Sequence, residues 1–203
     1  MTLTGAWEKL RSLGLPVFRT AEAAAILETA PANASTLLAR LGKHRLVVRI
    51  KRGLWALPGT DLLAIAPHLT APLPSYISLQ SALYTHGMIS QIPEVAFCVS
   101  LARTRRYTSP LGTVSVHHLP GALFFGFESS RDGSFQIATP EKALLDFLYL
   151  GPAKTRLFAA LPELSIPAGF SRKRLASMID RIPGQNRRAY VQTQAGRLLE
   201  NSF

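Results

Sequence analysis

The residues of this chain best suited to chemistry are cations and short polar side chains gathered in its first sixty positions. Asn33, Ser35 and Thr36 are followed by Arg40 and Lys43, and then by Arg49, Lys51 and Arg52. Lys and Arg bring the donors that meet phosphate oxygens. Arg adds a planar fork that fits the edge of guanine, and short hydroxyl or amide side chains approach backbone and base edges closely. The chemistry this set suits is recognition of a polyanion rather than bond making. A second set, Arg172, Lys173, Arg174, Arg187 and Arg188, stands near the other end. It reads as a further patch facing phosphate, as a contact for a protein or RNA partner, or as an ordinary solvated helix face.

The distribution of charge supports that emphasis. The 203 residues carry a net charge of +11. Residues 1–59 hold nine Lys and Arg against three Asp and Glu, residues 60–170 hold seven against seven, and residues 171–203 hold seven against two. Two basic ends therefore flank a neutral middle. A basic segment gains from a phosphate partner because each phosphate neutralised releases condensed counterions.

Catalytic constellations are sparse by comparison. His86, His117, His118, Glu141 and Asp146 are the candidates, together with the single cysteine, Cys98. His117 and His118 are adjacent in an expected strand, so they point to opposite faces and do not grip one ion together. No Gly-rich phosphate loop and no Gly-x-Ser-x-Gly elbow occurs. His86 reads as a helix-end residue, Lys142 as the partner of a nearby acid and Cys98 as packed in its strand. One cysteine excludes an internal disulfide. The expectation is a protein that is not an enzyme and takes no cofactor or metal.

The elements that must position the basic residues follow from periodicity. Trp7, Leu10, Leu13 and Leu15 follow Thr4 at helical intervals and Gly14 closes that segment; Val17–Phe18 reads as extended; Thr20 stands as the N-cap of an Ala-rich helix. A third helix is expected from about Asn33 to His44, burying Leu37, Leu38 and Leu41. A strand over 46–50, a turn at Lys51-Arg52-Gly53 and a strand over 54–57 complete a hairpin, with Arg45 extending its basic surface. Three short helices and a tight hairpin make a winged helix-turn-helix, in which the third helix enters the major groove and the hairpin tip meets the backbone. Residues 60–75 read as a connector with a short helix at its start. Beyond it come a helix from Tyr76 closed by Gly87, strands over 95–101 and 113–119, and short strands at 126–128 and 134–137. A helix capped by Thr139 follows, and two basic helices come last, one starting after Ser171 and ending near Pro183, the other over 186–199. The fold class expected is α+β: a winged helix-turn-helix over 1–59, a connector over 60–75, and a mixed α/β domain over 76–203 that ends in basic helices. No apolar run reaches the roughly 18 residues of a membrane span and no leader is visible, so a cytoplasmic location is expected.

Two stretches carry a family resemblance. Ser75-Tyr76-Ile77-Ser78-Leu79-Gln80-Ser81-Ala82-Leu83-Tyr84-Thr85-His86-Gly87 and Ala138-Thr139-Pro140-Glu141-Lys142-Ala143-Leu144-Leu145-Asp146 resemble the two signatures of AbiEi-type antitoxin regulators. The hairpin ending in Arg52-Gly53-Leu54-Trp55 is similar to that family's as well, and the likeness spans roughly residues 5 to 155. It implies an autorepressor of a type IV toxin–antitoxin system. Its winged helix would bind inverted repeats in its own promoter, and its C-terminal domain would oppose a nucleotidyltransferase-like toxin. The resemblance supplies no catalytic residue. A protein-interaction module that docks the toxin directly through its basic surfaces is the alternative.

Overall fold

The structure, a computed structural model, describes residues 2–151 and 164–200. It is a mixed α+β protein with two antiparallel or mixed sheets and eight α-helices among the described residues. The first unit contains α1 (Leu3–Ser12), β1 (Val17–Arg19), α2 (Thr20–Ile26), α3 (Pro31–Lys43), β2 (Val48–Lys51) and β3 (Leu54–Ala56). Its strands form a three-stranded antiparallel sheet in the order β1-β3-β2.

This small sheet is buried on both faces. Side chains alternate across a strand, and here successive residues enter different cores. Phe18 and Trp55 pack with Ala6, Leu10, Leu38 and Leu41 of the helices. Val17, Leu54 and Ala56 pack on the opposite side, with Ile65 and Leu69 of α4 (Leu62–Thr70). The segment that reads as a connector therefore contributes a buried helix, capped at Asp61, whose carboxylate accepts from the Leu63 N–H at 2.9 Å.

The second sheet has six strands in the order β6-β7-β5-β4-β9-β8: β4 (Ser75–Ile77), β5 (Val95–Ser100), β6 (Arg105–Ser109), β7 (Gly112–His118), β8 (Phe127–Ser129) and β9 (Gln136–Ala138). The pairs β5–β7 and β4–β9 are parallel and the other three antiparallel. Helices α4 and α5 (Leu79–Thr85) pack on this sheet. Helix α6 (Pro140–Leu150) packs on α5 and carries α7 (Arg172–Asp180) and α8 (Gln185–Glu200).

Several expectations are corrected. The segment from Tyr76 is not one helix: residues 75–77 are a strand between β5 and β9, and α5 begins only at Leu79. Leu79, the first residue of α5, sits at φ +55, a left-handed conformation at which the chain turns from the strand into the helix. Thr20 is the first residue of α2 rather than its cap; Arg19 takes the cap position, and its N–H is held by the Glu22 carboxylate at 2.5 Å. Helix α3 starts earlier than Asn33, at Pro31, whose missing N–H suits a first helical position. Leu46 and Val47 belong to the turn that ends α3, so the strand starts at Val48. The edge strand β6 has no counterpart in the sequence reading: its exposed, Arg-rich residues lack the apolar alternation that marks a strand.

A charged cluster joins the two halves of the larger unit. Thr139 caps α6, its hydroxyl accepting from the Lys142 N–H. One turn inside, Lys142 forms a buried ion pair with Asp146. The other oxygen of Asp146 accepts from the Tyr76 hydroxyl at 2.9 Å and the Ser78 hydroxyl at 2.7 Å. Burial pushes the Asp146 carboxyl up and the Lys142 ammonium down, opposite directions that keep the pair electrically neutral as a unit. The Lys142 stem fits closely: a Cβ at Gly126 (φ +76) would lie 3.2 Å from three of its carbons. Removing one partner from such a pair leaves a buried charge uncompensated. Lys142→Met is therefore expected to lower stability by about 3–5 kcal/mol in urea unfolding. A loss below about 1 kcal/mol would contradict a structural role for the pair.

Candidate functional site

Helix α3 presents two distinct sides. Ala34, Leu38 and Leu41 are buried, whereas Asn33, Ser35, Thr36, Arg40 and Lys43 are exposed. At 100° per residue, Asn33, Thr36, Arg40 and Lys43 fall within about 80° of arc and make one polar stripe. Leu37, expected in the core, is only partly buried. Thr36 donates its hydroxyl proton back to the Ala32 carbonyl at 3.2 Å and keeps its lone pairs for an incoming donor.

Ser35 faces sideways, toward the hairpin. It lines a concavity of about 290 Å³ with Thr20, Arg49, Arg52, Gly53 and Trp55. The hairpin turn, Arg52-Gly53, is bonded to the start of α2 by the Thr20 N–H and the Gly53 carbonyl at 3.0 Å; Gly53 lies at φ +77. Trp55, almost fully buried, donates its indole N–H to the Thr20 hydroxyl at 3.0 Å, and the Arg49 guanidinium stands 5.9 Å from the centre of its ring. That ring holds Arg49 in place through packing and cation–π attraction. Two guanidinium groups and two hydroxyls around one hollow suit an oxyanion such as a phosphate.

Lys51 is placed elsewhere. Its ammonium donates to the Leu69 carbonyl near the end of α4 at 3.0 Å and lies 5.4 Å from the centre of the Tyr107 ring. Burial, then Arg19 and Arg105, lower its pKa from the usual lysine range. Arg19 was not singled out from the sequence. It comes beside the hairpin because β1 pairs with β3, Arg19 opposite Leu54, and it shares a small hollow with Lys51, Arg52 and His68. Nothing local in the sequence reports that pairing.

The basic residues of the C-terminal helices are dispersed. Arg188 clamps the Ile182 carbonyl with Nε at 2.9 Å and Nη2 at 2.7 Å. Arg172 donates to the Leu199 carbonyl at 3.0 Å. Arg174 lies 3.5 Å from the Glu141 carboxylate and also donates to the Gly169 carbonyl. The Arg187 guanidinium sits 5.3 Å from the centre of the Tyr149 ring, and Lys173 is exposed. Three of the five thus fasten α7 and α8 to each other or to α6, and Arg188 ties α8 to the loop that precedes it.

The other residues singled out for chemistry are separated. Cys98 is fully buried in β5, and burial pushes its thiol up to about 12, which removes thiolate character. His86 caps α5 and bonds the Ala138 carbonyl through Nε2 at 2.7 Å. His117 packs near Phe97 and bonds Ser115, while His118 is exposed on the other side of β7. No family model matches the chain, and no curated protein matches it.

The Thr20–Trp55 bond sets the position of the ring that holds Arg49. Thr20→Val would leave the indole N–H without its acceptor in the core, and is expected to cost about 1–3 kcal/mol in thermal or urea unfolding. A variant as stable as the parent would show that the ring is positioned by packing alone.

Proposed function

We propose that the chain is a DNA-binding transcriptional regulator, not an enzyme, in which residues 1–59 act as a winged helix-turn-helix. Helix α3 reads the major groove and the β2–β3 hairpin is the wing. The observation that carries this reading is the polar stripe of Asn33, Thr36, Arg40 and Lys43 next to the hollow formed by Ser35, Arg49 and Arg52. Among the described residues no carboxylate lies within ion-pair distance of Arg40, Lys43, Arg49 or Arg52, so their charge is available to phosphate. Within this site Lys51 ties the wing to α4, and the contacts to DNA fall to the other residues.

The regulator is further proposed to be an AbiEi-type antitoxin that works in the cytoplasm and opposes a nucleotidyltransferase-like toxin. The support is the resemblance of the two signature stretches, together with their meeting in space: Tyr76 and Ser78 of the first bond Asp146 of the second. No helix among the described residues is long and apolar enough to cross a membrane.

The test is fluorescence anisotropy on the chain's own upstream duplex and on a scrambled one, across a salt series. The native duplex is expected to bind more tightly and to lose affinity with salt, at a slope of about −0.9 per phosphate neutralised. Arg40→Gln, Lys43→Gln and Arg52→Gln should each reduce that slope by about one contact, whereas Lys51→Gln should lower stability and leave the slope nearly unchanged. Equal binding to both duplexes would contradict sequence-specific regulation. Absence of binding at low salt would overturn the DNA reading and favour direct docking on the toxin.

A further inference from the structure

The hollow lined by Ser35, Arg49 and Arg52 is backed by a second one of different character. A groove of about 630 Å³ opens where the end of α3 and strand β2 meet the β6–β7 turn at Pro110-Leu111. The two concavities share Ala39, Arg49 and Trp55. Val47, Val48, Trp55 and Leu111 give the groove apolar walls, and Lys43, Arg45 and Arg49 supply its charge; no acidic residue lines it. Its volume is in the range of sites for small organic ligands. Apolar walls are poorly matched to a bare phosphate, and three cations are poorly matched to a neutral hydrocarbon. An anion with an apolar body satisfies both.

Arg45 provides an independent indication. It follows the C-cap residue His44 at φ +58, and the Leu46 N–H closes the end of α3 on the Leu41 carbonyl at 3.1 Å. This position favours glycine, which takes the left-handed conformation without steric cost. A long cationic side chain stands there instead, strained in its backbone and directed to the lining of the groove. Strain of this kind is characteristic of functional positions.

We propose that this groove binds an organic carboxylate with an apolar body, and that occupation weakens the hold on DNA. Lys43 and Arg49 serve both the groove and the DNA-facing surface, so a carboxylate bound there neutralises charge the duplex would use. The first half stands on the groove alone; the second rests on the DNA reading above.

The probes are 2-naphthoate and its uncharged amide, titrated into the full chain while the indole N–H signal of Trp55 is followed by NMR, with Trp7→Phe distinguishing the two tryptophans. Naphthoate is expected to shift the Trp55 signal saturably, with the amide about tenfold weaker. Arg45→Gly should melt at the same temperature or higher, bind naphthoate about tenfold more weakly and leave the amide unaffected. Lys43→Gln, at an exposed position, should weaken naphthoate in the same direction. Equal binding of acid and amide, an unmoved Trp55 signal, or unchanged affinity in both variants would overturn the site. Naphthoate should reduce duplex affinity in the parent chain, and in Arg45→Gly only at about tenfold higher naphthoate concentration; an unchanged duplex affinity at saturation would overturn the regulatory half. A chain that binds no duplex even without naphthoate would remove the DNA reading and the regulatory half with it, and the NMR result would still decide the site.

Discussion

Strand β3 is the joint on which the rest of the structure depends. Trp55 points into the helical core, and its neighbours Leu54 and Ala56 point into the core shared with α4 and the six-stranded sheet. A three-residue strand thus has no solvent face, and the small sheet is fixed between two hydrophobic cores. Burial of a large apolar side chain contributes about 1.5–3 kcal/mol, so the joint is held by several such contributions on each side. The Lys51 ammonium adds a polar tie from the hairpin to the Leu69 carbonyl. Helix α3 and the hairpin are therefore presented in one fixed relation to each other and to the larger unit, and a surface positioned in advance loses less entropy on binding.

The larger unit has its own organising contact. Lys142 and Asp146 would be costly in the core without partners. Here the carboxylate takes the lysine on one oxygen and the Tyr76 and Ser78 hydroxyls on the other. Those hydroxyls come from β4 and the residue before α5, so the cluster fixes how the sheet meets α6. The same helix then anchors α7 through Glu141, whose carboxylate accepts from the Ser171 N–H at 2.7 Å and lies beside Arg174. Charge near the C-terminus thus has an internal use, and the net charge of the chain overstates what is offered to a partner.

The sequence made some of this legible and hid the rest for identifiable reasons. Helices α3, α6, α7 and α8 show in their caps and apolar spacing, as at Thr139-Pro140 and Ser171, because those signals are local. Strands β5 and β7 show in their alternation. The split at Ser78 was invisible, because Ile77, Leu79 and Leu83 fit a helix as well as a strand followed by a helix; only pairing with β5 and β9 decides. Strand β6 was missed since Arg105 and Arg106 stand on an exposed edge. Of the candidate site, exposure on α3 and in the hairpin could be read from spacing. The turning of Lys51 toward α4, the approach of Arg19 and the groove beside Trp55 all depend on contacts between distant segments.

The central claim is that one face, made by α3 and the hairpin, meets DNA while the basic C-terminal helices serve the fold. The most direct measurement is backbone amide NMR of the full chain titrated with its upstream duplex. The account predicts shifts concentrated at Asn33, Ser35, Thr36, Arg40, Lys43, Arg49 and Arg52, with α7 and α8 essentially unmoved. Shifts centred on Arg172 to Arg188, with α3 silent, would contradict it.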